Sequence, residues 1–177
     1  MHNPFEGELI RLRAREEEDE PLLFQWFNDP EVTQYLSMRY PLSHAQERVY
    51  IERNSEPGYG SANFAVVRKD TGELIGSVGL EKTSPENRSA LLGITIGDKA
   101  HWDGGFGTDT MRTISRFAFT MMNLHRIELD VYAENARAIR CYEKVGYQHE
   151  GRLRDAVYKF GKYQDLLRMS VLEGEVT

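Results

Sequence analysis

The chain has little of what would place it outside the ordinary globular class. A single cysteine, Cys141, occurs in 177 residues, so an internal disulfide is excluded and a reducing compartment fits. No apolar run approaches the ~20 residues of a membrane span. The opening Met1-His2-Asn3-Pro4 has no basic stretch followed by an apolar one, as a secretion signal requires. The expectation is a cytoplasmic protein without a membrane partner. Positive charge is in deficit: 22 Lys and Arg against 28 Asp and Glu leave −6. That balance argues against nucleic acid and leans toward a cationic small molecule or a basic protein as partner. The acidic cluster Glu16 to Glu20 reads as a solvated helix start. No His, Cys, Asp or Glu spacing matches a metal site, so no metal is expected. Repeats and linkers are absent, and the length fits one domain over 1–177.

What is present is an alternation of strand and helix patterns. Residues 8–15 alternate polar and apolar as a first strand, and Leu22, Leu23, Trp26 and Phe27 recur at helical spacing up to Asn28-Asp29-Pro30. Ser43 reads as the N-cap of a second helix ending before Glu56-Pro57-Gly58. Three strands follow, Asn63 to Val67, Leu74 to Glu81 and Leu91 to Ile96, with turns at Asp70-Thr71-Gly72 and Ser84-Pro85-Glu86-Asn87. An antiparallel meander is the economical topology. Gly107, Met111, Ile114, Phe117, Ala118 and Met121 share one face of a long helix that stops near Asn123. A strand from Arg126 to Tyr132, a short helix closed by Gly146, and strands from Tyr147 to Leu153 and Leu166 to Leu172 complete the order. The fold class is α/β (α+β), with a mixed, mostly antiparallel sheet of about seven strands and flanking helices.

The stretch Trp102-Asp103-Gly104-Gly105-Phe106-Gly107-Thr108 joins a strand to the long helix. Glycines let backbone approach a ligand closely, and the unpaired N–H groups of a helix's first turn favour an anion. A phosphate-bearing cofactor is the expected guest. A nucleotide-hydrolysing P-loop is excluded, because no lysine follows the second glycine. A dinucleotide fingerprint, and with it a nicotinamide oxidoreductase, is disfavoured, because Thr110 stands where the third glycine packs helix on strand. A pyrophosphate held by backbone N–H groups remains.

Two segments carry a family resemblance. Ile94-Thr95-Ile96-Gly97-Asp98-Lys99 followed by the glycine turn resembles the acyl-CoA motif of the GNAT acyltransferase superfamily, with Trp102 where Gln or Arg is usual. Asn135-Ala136-Arg137-Ala138-Ile139-Arg140-Cys141-Tyr142-Glu143-Lys144-Val145-Gly146-Tyr147 resembles that family's Asn-x-x-Ala-x-x-x-Tyr-Glu-Lys-x-Gly-Phe/Tyr segment. The whole chain is similar to the branch holding ribosomal-protein N-terminal and spermidine acetyltransferases.

The resemblance implies a GNAT fold with a splayed acyl-CoA cleft, acetyl-CoA as cosubstrate, and direct transfer to an amine. Ile94, Thr95 and Ile96 would pair with the pantetheine arm, Trp102 to Thr108 would cradle the pyrophosphate, and Asn135 and Lys144 would add contacts to the arm and a phosphate. Tyr142 would act as general acid at the sulfur, its phenol protonated at neutral pH. Many relatives carry Glu where this chain has Leu91, which leaves Glu81 as the replacement base and His101 behind it. The same absence keeps open a non-enzymatic acyl-CoA-binding module. Cys141 reads as a small core residue, since direct transfer needs no protein thiol. Acceptors are a small amine, polyamines included, or a protein N-terminus, with Tyr35, Tyr40, Tyr158 and Phe160 suited to line the pocket. A homodimer is compatible with the family.

Overall fold

The computed structural model describes residues 3–54 and 58–177. In chain order the elements are β1 (Ile10–Arg13), α1 (Glu20–Phe27), α2 (Pro30–Thr33), α3 (His44–Arg53), β2 (Ala62–Arg68), β3 (Leu74–Ser84), β4 (Ser89–Ile96), α4 (Phe106–Met121), β5 (Arg126–Tyr132), α5 (Ala136–Val145), β6 (Gln148–Lys159) and β7 (Lys162–Leu172). All seven strands form one sheet in the order β1-β2-β3-β4-β5-β7-β6. Every junction is antiparallel except β4 with β5.

The alternation of side chains along the strands gives each face of the sheet its own core. On one face Ile10, Leu12, Phe64, Val78, Leu92 and Leu129 meet Met111, Ile114 and Ala118 of α4, with Val145 of α5 at the margin. On the other, Ala65, Val67 and Leu74 meet Leu23 and Trp26 of α1, Val32 of α2 and Ile51 of α3. Ser43 caps α3 as expected, its hydroxyl accepting from the Gln46 N–H at 3.2 Å. Gly146 closes α5 at φ 105°, a conformation that excludes most side chains. The expected end of α3 before Glu56-Pro57-Gly58 falls partly on residues 55–57, outside the described residues.

The parallel junction creates the central feature. β4 pairs with β5 only through Ser89↔Arg126, Ala90↔Ile127 and Leu91↔Glu128. Beyond Leu91, β4 stays with β3 up to Gly76↔Ile96, while β5 stays with β7 up to Tyr132↔Leu166. The sheet therefore opens into a V at its middle.

Three sequence expectations change. The acidic start of α1 is not simply solvated: Arg13 forks onto Asp19 at 2.7 and 2.8 Å, and Glu20 meets His44 at 2.7 Å, so Asp19 and Glu20 are buried. Met121 is exposed and Met122 is buried in its place, because α4 ends at Met121 and the chain turns inward. The final strands are longer than their apolar segments, running to a tight turn at Phe160 and Gly161, both at positive φ, as a type I′ hairpin requires.

On the last strands Arg126 donates to Glu150 at 2.7 Å and to Glu128 at 3.0 Å, and the Ser170 hydroxyl donates to Glu150 at 2.7 Å. Arg126, and after it Ser170, hold the Glu150 carboxyl down at about 2. A carboxylate depressed by folding contributes stability above its unfolded value, about 4.3, and loses it as pH falls toward its folded value. Glu150→Gln is expected to lower Tm at neutral pH, with the gap to wild type closing between pH 4.5 and pH 2. Thermal melts across that range check it.

Candidate active site

The V encloses a cleft of about 650 Å³. Its walls are β4 residues 91–96, β5 residues 129–132, the turn before α4, and α5. Backbone groups of residues 92–96 on the β5 side have no strand partner, so a strand edge is offered to whatever enters.

At the turn, Asp103 and Gly105 both take the left-handed conformation, φ 61° and 85°, and Gly105 is the N-cap of α4. Among the described residues no protein acceptor reaches the backbone N–H groups of residues 103–108; the first bond of the helix is Asp109 N–H to Gly105 O at 3.0 Å. This is an anion cradle with its donors free. Trp102 braces it: the indole N–H donates to the Ile96 carbonyl at 2.7 Å, and the Arg137 guanidinium lies 3.9 Å from the ring centroid. A side chain other than the family's usual Gln or Arg thus ties β4, turn and α5 together. Thr110, fully buried, donates its hydroxyl to the Phe106 carbonyl at 2.7 Å.

Asp109, one turn into α4, fixes the cradle from behind. Its carboxylate accepts three successive backbone N–H groups, from Glu8 at 3.1 Å, Leu9 at 2.8 Å and Ile10 at 3.0 Å.

Of the residues expected to hold a cofactor, Ile94, Thr95, Ile96, Trp102, Asp103, Gly105, Gly107, Thr108, Asn135 and Lys144 all line the cleft. Gly104 and Phe106 do not contribute to its wall; the Phe106 ring packs edge-on to His101 at 5.1 Å. Asn135 caps α5 through Ala138 N–H at 3.2 Å, which leaves its amide N–H₂ for a ligand. Arg137 and Arg140, not singled out from the sequence, also line the cleft. With Lys144 they sit three and four residues apart, so one side of α5 carries three cations next to the cradle.

Tyr142 lines the cleft half-buried, and loss of solvation pushes its phenol above the ordinary value. No hydrogen bond from its hydroxyl is formed among the described residues; its ring stands 6.1 Å from Tyr147, whose own hydroxyl is engaged by Ser115 at 3.0 Å. Cys141 meets the Thr108 hydroxyl at 3.4 Å, and burial raises its thiol, which keeps it an unreactive neutral group.

On the sheet face of α1 and α3 lies a second cavity of about 250 Å³. It shares Leu36, Ser37 and residues 91–95 with the cleft, so the two meet across β4. Glu81 lines it and is the register partner of Leu91, which puts both side chains on one face, one strand apart. Arg15, Tyr50, Asn63 and Ser77 complete its polar wall. Tyr35 lines the large cleft and packs on Tyr132 at 5.7 Å. Tyr40, Tyr158 and Phe160 are 82%, 52% and 67% exposed and stand outside both walls. Tyr158 and Phe160 sit at the end of the β6–β7 hairpin, and Tyr158 spends its ring on Tyr163 at 5.1 Å. His101 lines the large cleft beside the turn, 3.0 Å from Asp98.

Residues 10–148 match the model of the acetyltransferase (GNAT) domain. The uncharacterized N-acetyltransferase p20 of Bacillus licheniformis is 34% identical over 170 residues, 95% of each chain. The spermidine N(1)-acetyltransferase of Vibrio cholerae is 36% identical over 110 residues, 62% of this chain and 63% of its own. A crystal structure of spermidine N-acetyltransferase from Vibrio cholerae, in complex with CoA and spermine, superimposes with a TM-score of 0.86 at 28% identity, over 94% of this chain and 96% of that one. With the split sheet and free cradle, these likenesses place the chain in the GNAT family, as an acetyl-CoA-dependent enzyme that acetylates an amine.

Proposed function

We propose that the chain acetylates the primary amine of a small molecule, with acetyl-CoA threaded through the cleft between β4 and β5 and the acceptor entering from the cavity of Glu81. The observation that carries this reading is the cleft itself: an unpaired strand edge leading from free N–H donors and three cations to a half-buried phenol without a hydrogen-bond partner among the described residues. Those groups fit a pyrophosphate, a pantetheine arm with two amides, and a thioester in that order. The crystallised relative bound to CoA and spermine supports a small amine over a protein N-terminus.

Acetyl-CoA supplies an acyl carbon already activated by a thiol leaving group. The chain's residues orient it and manage protons. Residues 103–108 and the cations of α5 anchor the phosphates, and residues 94–96 align the arm. The amine nitrogen bonds to the acyl carbon as the carbon–sulfur bond breaks. Tyr142 donates its proton toward the sulfur, and the amine gives up a proton through water to Glu81. An alkylamine near pKa 10 must lose that proton at a cost of about 4 kcal/mol at neutral pH, so a carboxylate on the acceptor side is useful where Leu91 offers none. A reducing cytoplasm suits the one-cysteine chain. A homodimer would use β6, the exposed edge strand of the sheet.

The test is CoA release with a panel of amines, including a peptide with a free N-terminus. Small amines are expected to drive release and the peptide to fail; CoA binding without release by any amine would leave only a binding module. Glu81→Gln is expected to lower kcat/KM about tenfold or more near pH 7 and to recover as pH approaches the amine's pKa, because the acceptor then arrives deprotonated. A deficit constant across pH would remove Glu81 from proton transfer.

A further inference from the structure

The acceptor cavity holds a guanidinium that no carboxylate among the described residues hydrogen-bonds, Asp19 acting on it only through space. Arg15 is 4% exposed, and its Nε and Nη1 atoms are buried without a hydrogen-bond partner. Among the described residues it forms no ion pair; its guanidinium rests 5.2 Å from the centroid of the Tyr50 ring, and both residues line the cavity. Burying a guanidinium unpaired costs several kcal/mol, and its fork of donors matches a carboxylate. Glu47 acts on Arg15 only through space. It is 2% exposed, carries an unpartnered Oε1 of its own, and has its carboxyl pushed up by burial.

Two of the acidic groups along the cleft are already engaged. Asp130 takes Arg168 at two contacts of 2.7 Å, and Glu31 takes Lys99 at 2.7 Å. Arg39, exposed, is a further cation of the cleft wall beside the three of α5. On the wall of the acceptor cavity Arg15 is the buried cation without a hydrogen-bond partner among the described residues, and Glu81 is the carboxylate.

We infer that the acceptor is an amine that also carries a carboxylate, its amine directed across β4 at residues 91–95 and its carboxylate forked by Arg15. This names the substrate class for the reaction proposed above and rests on that reading. The volume of the cavity, about 250 Å³, suits a molecule the size of a free amino acid. Tyr50 backs the guanidinium, and Asn63 and Ser77 offer polar groups to the remainder.

The test compares matched pairs, each an amino acid and the amine that lacks its carboxylate. The amino acid is expected to be acetylated with kcat/KM about 100-fold higher, the range of a buried charge-paired hydrogen bond. Arg15→Met is expected to erase that preference by raising KM for the amino acid, and Arg15→Lys to restore part of it. A direct readout needs no turnover: with CoA present, N-acetyl amino acids are expected to raise the Tm of the wild type above the effect of the corresponding N-acetyl amines, and to lose that advantage in Arg15→Met. Pairs acetylated equally, or polyamines preferred with Arg15→Met indifferent, would overturn the inference and leave amine acetylation standing. If no amine is acetylated, the proposed reaction fails, and the Tm comparison on wild-type protein decides the carboxylate site by itself.

Discussion

Tyr142→Phe is expected to lower kcat by about 10²- to 10³-fold, within the range for loss of a positioned general acid, while KM for acetyl-CoA changes little. The separation follows from where the hydroxyl stands. The ring belongs to the margin of the main core and phenylalanine keeps it, whereas the hydroxyl bonds to no protein group among the described residues and stabilises nothing in the fold. Its removal touches only the step in which the sulfur acquires charge. Burial holds the phenol well above its ordinary value, so the wild type is expected to keep its acid up to and beyond pH 10, with no alkaline loss from this group below that. Steady-state kinetics of both proteins against pH, with far-UV circular dichroism to confirm the fold, give the result. Equal kcat values would move the proton donor elsewhere.

The largest expected effect on stability comes from Asp109→Ala, a loss of about 3–5 kcal/mol, since breaking a buried network around a charge leaves its donors unpaired. Three backbone N–H groups at residues 8–10 lose their acceptor together, two with bonds of 3.0 Å or less, and the carboxylate is 4% exposed. Asp109→Asn keeps one oxygen and is expected to fall between. Because the same residue opens α4, the variant is also expected to weaken CoA binding by loosening the cradle. Urea denaturation of the three proteins checks the order, and a loss under 1 kcal/mol for alanine would show that the loop before β1 finds other partners.

Asp109 also marks the boundary of what the sequence made legible. The glycine turn, the Asn135 to Gly146 segment and each strand pattern are local, so their chemistry reads from adjacent residues: a turn needing positive φ, a helix opening on free N–H groups, a cap at Gly146. The role of Asp109 depends on residues about a hundred positions away, and no local pattern distinguishes it from a solvated acid in a first helical turn. Arg15 was hidden for the same reason. It follows a strand of alternating residues and reads as one more surface cation, until α3 brings Tyr50 and Glu47 over it. Leu91 and Glu81 belong together only through the β3–β4 register, which the Ser84-Pro85-Glu86-Asn87 turn leaves adjustable. The aromatic residues misled in the opposite sense. Tyr40, Tyr158 and Phe160 looked suited to a pocket by chemistry alone, but a hairpin's direction is set by tertiary packing, and β6 and β7 carry theirs outward. Arg137 and Arg140 were within the recognised segment, yet their place on the cleft wall appears only in the fold, where α5 lies against the turn.

The order of parts along the cleft is the central claim: phosphates at the turn, arm along the unpaired edge of β4, thioester at Tyr142. A crystal structure of the protein with CoA tests it most directly. The pyrophosphate is expected within hydrogen-bond distance of backbone N–H groups among residues 103–108, the pantetheine amides bonded to the backbone of residues 92–96, and the sulfur beside the Tyr142 hydroxyl. A pyrophosphate bound away from that turn, or a sulfur remote from Tyr142, would contradict it.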